Sequence, residues 1–198
     1  MSSAPSFSDR PLRLTAASVL LASATAFCQN AEGPLDFEKA DREVTRLSPS
    51  RFPRLPLPIR HDLTRRGCTV PQVWGEKGLH NVIKGSFIQR TEPDWAVLCS
   101  VNRTSTILIF RNASATRIVE LARGTDINWL QSEGGTQIGY SREIFPVGRE
   151  FIMRHYQTYG GVKPPPIDHL GINDAFVGKA SVVLYHYRGK WLKLTGAD

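Results

Sequence analysis

The chain has 198 residues, 25 Lys and Arg against 18 Asp and Glu, a formal charge of +7, three cysteines, 13 prolines and a 41% hydrophobic share. That length suits one domain with a buried core. The composition excludes a disulfide-dense mini-scaffold, a collagen-like chain, a disordered chain and a multi-pass membrane protein, while the charge raises polyanions as partners.

Arg10 and Arg13 precede an uncharged run from Leu14 to Phe27. A basic start, a short apolar stretch and the small-x-small end Ala24-Thr25-Ala26 describe a secretory signal peptide over residues 1–26. The run is too short for a membrane span, which needs about 20 apolar residues. Cys28 follows the aromatic Phe27, where a lipid-modified cysteine wants a small neighbour. An exported chain meets oxidising conditions, so Cys68 and Cys99 are expected to form a disulfide. The alternatives are two buried free thiols or a Cys–His nucleophile, and no local motif supports the latter.

Residues 35–47 read as a short helix. Leu35, Ala40, Val44 and Leu47 share one face, and Asp36, Glu38, Asp41 and Glu43 crowd the positive N-terminal end. Pro49, Pro53, Pro56 and Pro58 then make an extended surface stretch. A second helix is expected from Pro58 to Arg66, with proline in its first turn and Gly67 just past its end. After Cys68 the pattern becomes β-rich: Val82–Ile88, Trp95–Val101, Ser105–Phe110 and Thr116–Ala122 read as strands. The runs Trp95–Cys99 and Ile107–Phe110 are almost wholly apolar, as in strands covered on both faces. Residues 123–137 read as loop. Ile144–Tyr156 fits a strand or a short helix equally. Ala180–Tyr187 and Lys190–Leu194 flank the two-residue turn Arg188-Gly189 and read as a hairpin.

The expected fold is α+β, with N-terminal short helices packed on a mainly antiparallel β-sheet. Its parts are a signal peptide (1–26), a helical and proline-rich segment (27–66) and a mainly β globular domain (67–198).

Gly85, Phe87, Asp94, Ala96 and Val97 give the segment 85–97 a resemblance to one degenerate FG-GAP/VCBS-type unit. Ser86, Ile88 and Arg90 stand where that family places loop acids, so the resemblance implies no Ca²⁺ site. More widely, Arg66–Gln72, Asp94–Ser100 and the tail Lys179–Val183, Trp191 and Gly196–Asp198 resemble small exported bacterial proteins of an uncharacterised family. That resemblance implies export and assigns no activity.

Tests for chemistry return little. There is no Cys-x-x-Cys and no His-Glu-x-x-His, so neither a metal nor another cofactor is expected. Gly139-Tyr140-Ser141-Arg142-Glu143 begins like a nucleophile elbow but lacks its second glycine. Glu143 and Glu150 have no fixed separation as a carboxylate pair. The concrete feature is a basic block: Arg42, Arg46, Arg51, Arg54, Arg60, Arg65 and Arg66 against Glu43 and Asp62. It suits contact with an anionic envelope polymer or protein, through the planar guanidinium fork. The competing reading is a solvated pair of helices whose arginines pair with Asp36, Glu38 and Asp41. Only Phe52 interleaves with these arginines, so nucleic acid is not an expected partner.

The leading expectation is a secreted or periplasmic, non-enzymatic binding or accessory domain of the cell envelope. The alternative is a hydrolase whose site assembles only in the fold, with Ser141 or Cys68 beside a histidine and an acid.

Overall fold

The computed structural model describes residues 34–197. The signal segment expected over 1–26, and Cys28, lie outside them. Helix α1 spans Phe37–Glu43, capped by Asp36, whose carboxylate accepts from the Lys39 N–H at 2.8 Å. It stops short of the expected Leu47, because Arg46–Leu47 form a short strand β1 against β2, Val70–Pro71. Helix α2 spans Leu57–Arg65. Its end shows why a glycine stands at 67. Gly67 takes φ +70°, and the N–H groups of Gly67 and Cys68 bond back to the carbonyls of Thr64 and Leu63 at 3.0 and 2.9 Å.

The first sheet is an antiparallel meander of β3 (Val82–Gly85), β4 (Asp94–Val101), β5 (Thr104–Phe110) and β6 (Ile118–Thr125). Asn102 and Arg103, both at positive φ, make the tight turn between β4 and β5. A ribbon of β7 (Leu130–Gly134) and β8 (Gln137–Tyr140) follows. The second sheet is another antiparallel meander: β9 (Arg142–Val147), β10 (Gly171–Phe176), β11 (Ala180–Tyr187) and β12 (Lys190–Thr195). Helix α3, Arg149–Tyr159, lies between β9 and β10.

The two sheets pack face to face. Ala96, Leu98, Ile107 and Ile109 of the first share a core with Ile144, Ile172 and Leu184 of the second. The outer face of the first sheet (Val97, Cys99, Leu108, Phe110) is covered by Ile59 and Leu63 of α2 with Phe52 and Leu55. The outer face of the second (Val147, Val183, Tyr185) is covered by Ile152 of α3. The layers run α2, sheet, sheet, α3. This is why β4 and β5 are apolar on both faces.

A buried Arg142 ties the second sheet to its neighbours. Its Nε and Nη2 pair with the two oxygens of Asp174 at 2.8 and 2.9 Å, and Nη2 donates to the Ala122 carbonyl at 2.7 Å. Its guanidinium sits 4.3 Å over the Trp129 ring.

The α+β class stands, with the protein mostly β and every sheet antiparallel. Two expectations need correction. The helices are not confined to the N-terminal part, since α3 lies in the second half. The strands do not form one sheet but two four-stranded sheets and two ribbons. Ile144–Tyr156, left open between strand and helix, is both: β9 ends at Val147, and Gly148 in extended conformation starts α3.

Candidate functional site

Cys68 and Cys99 stand at disulfide-bonding distance, with Cα atoms 5.4 Å apart. Cys68 follows the α2 cap and Cys99 faces it from β4, so the pair fastens α2 to the first sheet. Beside it Thr69 and Ser100 exchange backbone hydrogen bonds of 2.9 and 2.8 Å.

The seven arginines of the basic block divide into two sets. Arg46 turns inward. Its Nη2 bonds to Asp41 at 2.7 Å and to Asp126 at 2.8 Å, its Nε reaches Asp126 at 3.0 Å, and its Nη1 donates to the Asp41 carbonyl at 2.7 Å. Asp126 is fully buried and also accepts from the Ser100 hydroxyl at 2.6 Å and from Ser105. The Tyr140 hydroxyl lies 3.3 Å from that of Ser105. Burial first, and then the Asp126 carboxylate, push the Tyr140 phenol well above its ordinary value. Arg65 and Arg66 both pair with Asp62, and Arg66 also reaches Glu120 at 3.3 Å.

Arg42, Arg51, Arg54 and Arg60 form the second set. Among the described residues, none of them has a carboxylate within ion-pair distance. The acids expected to neutralise the block do so only in part. Asp41 serves Arg46 and Arg103, and Asp36 caps α1 instead.

Arg54 opens onto the most concrete surface feature of this region, a cleft of about 530 Å³. Phe52, Leu55, Val82 and Trp95 line it, with Leu79 half exposed beside them. Lys84 of β3 stands opposite, its Nζ 5.8 Å from the Trp95 ring centroid. Among the described residues, no carboxylate lines this cleft. The sequence placed Arg54 in the block but not Lys84 or Trp95, which only the packing of the Pro49–Leu55 turn against β3 and β4 brings to it.

Ser141 donates to Glu133 at 3.2 Å and to the Gly139 carbonyl at 3.4 Å, with no histidine among its partners. Glu143 bonds to His80 Nδ1 at 2.8 Å, while Glu150 is exposed on α3. In the FG-GAP-like segment, the buried Asp94 accepts from the N–H groups of Phe87, Ile88 and Asn112 at 2.9, 3.1 and 2.9 Å. Its Oδ2 thus holds the β3–β4 loop, and its Oδ1 holds the turn that follows β5. Among the described residues, no group of three or more His, Cys, Asp or Glu is placed to hold a metal, and no helix is long and apolar enough to cross a membrane.

Comparison with known proteins finds no matching family model, no matching curated protein and no matching solved structure.

Proposed function

We propose that this is an exported, non-enzymatic binding or accessory domain of the cell envelope that docks an anionic polymer on the face around Arg54 and Lys84. The observation that carries the reading is the cleft itself: two cations line an apolar, tryptophan-floored groove to which, among the described residues, no carboxylate contributes. A phosphate or carboxylate there meets unneutralised charge, and the apolar floor excludes water and strengthens the attraction. Arg51 and Arg60, on the turn and helix that flank Arg54, extend the same field. The inward pairing of Arg46 removes it from the contact surface.

The test is retention of the mature protein on immobilised polyphosphate and polyglutamate, with salt raised from about 0.01 M to 1 M. Over that range the screening length falls from ~30 Å to ~3 Å. Retention at low salt that is lost at high salt, and weakened about tenfold or more by Arg54→Glu with Lys84→Glu, supports the reading. No retention at low salt, or retention indifferent to the double charge reversal, overturns it.

A further inference from the structure

The outer face of the second sheet carries a residue that the core has no use for. Asn173 sits at the middle of β10, where alternation places it opposite Ile172 and on the same face as Gly171 and Ala175. Its register neighbours are Phe145 on β9 and Val183 on β11. An apolar side chain belongs at such a position. Asn173 is instead 1% exposed, and its Oδ1 has no hydrogen-bond partner. A buried amide oxygen left unpaired costs free energy that valine or leucine would not. Local rules broken without a compensating contact mark functional positions.

Asn173 lies in the lining of a pocket of about 340 Å³ beside α3, whose Phe151 is also in the lining. That size sits at the lower end of the ~300–1,000 Å³ range of small-molecule sites, enough for a single ring. The small side chain of Ala175, flanked in register by Glu143 and Ser181, leaves the floor open. One wall is aromatic: Phe145 and Phe151 meet edge to face with centroids 6.3 Å apart, while Phe176 borders the pocket from the end of β10 with its ring turned to Trp129. Two charges reach the rim. Glu143 and Lys179 both border the pocket; Glu143 is held by His80 at 2.8 Å, and the Lys179 ammonium is turned onto the Phe176 ring at 4.4 Å. One carboxylate and one ammonium favour a neutral ligand.

We infer that this pocket binds a neutral saccharide ring, with Asn173 as its central hydrogen-bonding group. A hydroxyl both donates and accepts. Neighbouring hydroxyls therefore satisfy the Asn173 oxygen as donors and its NH₂ as an acceptor, while Glu143 accepts a hydrogen bond from a further hydroxyl. The C–H face of a pyranose packs against phenylalanine, which a charged or purely polar ligand does not exploit. A ring this size fills the space over Ala175 and returns the missing partner to Oδ1. The site is separate from the Arg54–Lys84 cleft in residues and in chemistry.

The experiment titrates the ¹⁵N-labelled full chain with maltose, cellobiose and chitobiose and follows the Asn173 side-chain amide and the Gly178 and Lys179 backbone amides. Saturable shifts at these groups with at least one sugar are expected, with affinity unchanged by salt and by Arg54→Glu with Lys84→Glu. Asn173→Ala should weaken that affinity tenfold or more while keeping the melting temperature, because it removes an amide without a protein partner. Glu143→Gln, which keeps shape and loses charge, should weaken it less. No saturable shift with any sugar, shifts that map elsewhere, or undiminished binding by Asn173→Ala overturns the inference and leaves an ordered water as the partner of Oδ1. Salt-insensitive sugar binding and salt-sensitive polyanion retention are separate readouts, so either reading fails without the other.

Discussion

Replacing Asp126 with alanine removes the acceptor at the centre of the buried network that joins the α1–β1 segment to the first sheet. Three groups lose a partner. Arg46 loses two of its charge-assisted bonds, and the hydroxyls of Ser100 and Ser105 lose theirs. Each orphaned hydroxyl costs about 1 kcal/mol. Removing one member of a buried ion pair costs about 3–5 kcal/mol when the other charge is stranded. Here Asp41 still holds Arg46 at 2.7 Å and the arginine side chain is 13% exposed, so about 1–2 kcal/mol is the appropriate share. The expected loss is therefore about 3–4 kcal/mol, or a fall in Tm of about 10 °C for a domain of this size. Urea unfolding followed by circular dichroism measures it. Pairing Arg46→Met with Asp126→Leu should recover at most the share of about 1–2 kcal/mol that comes from the stranded arginine, because the Ser100 and Ser105 hydroxyls stay without an acceptor and Asp41 keeps only Arg103 at 3.5 Å. A loss under about 1 kcal/mol for Asp126→Ala, or a double variant as unstable as the sum of the singles, refutes the reasoning.

Tyr140 sets an alkaline limit. Its phenol is raised above the ordinary value of 10 by burial, so the folded protein keeps the proton that the unfolded chain gives up. Stability from this group is full below about pH 10 and falls as pH rises beyond it, by about 1.4 kcal/mol per pH unit while the folded state stays protonated. Tyr140→Phe should flatten that slope in urea unfolding between neutral pH and about pH 11, and an unchanged slope would count against the burial argument. Replacing Cys68 and Cys99 together by alanine should lower stability by about 3–4 kcal/mol, the chain-entropy value for their separation of 31 residues. The loss should be at least that of the wild-type protein under reducing conditions, since the alanines also empty buried sulfur volume, and equal stability of oxidised and reduced wild type would refute the link.

Much of the local structure was legible in the chain. Alternation and turn residues located β4, β5 and the β11–β12 hairpin, and Arg188 and Gly189 both take the positive φ that such a turn demands. Pro58 and Gly67 marked the ends of α2 because their backbone constraints act over a few residues. The cysteines were legible as a pair through the redox argument, which needs no coordinates. Strand β10 was not legible. Gly171, Asn173 and Asp174 interrupt the apolar pattern, and Asp174 is tolerable at depth only because Arg142, 32 positions earlier, neutralises it. The ribbon strand β7 hid in a stretch of Gln, Ser, Glu and Gly that reads as loop.

The sequence by itself determined the secondary elements with local signals, the charge and the candidate arginines, since propensity, capping and turn chemistry are properties of neighbours. Which arginines face a partner was decided only by tertiary structure. Arg46 and Arg54 are alike on the page, yet one is enclosed by Asp41 and Asp126 while the other lines a cleft with Lys84 and Trp95 that holds no acid among the described residues. The same holds for Asn173, an ordinary polar residue until packing on the outer face of the second sheet buries it with its Oδ1 unpartnered. Charge pairing and burial depend on distances between residues far apart in the chain, and those distances exist only once the layers have packed.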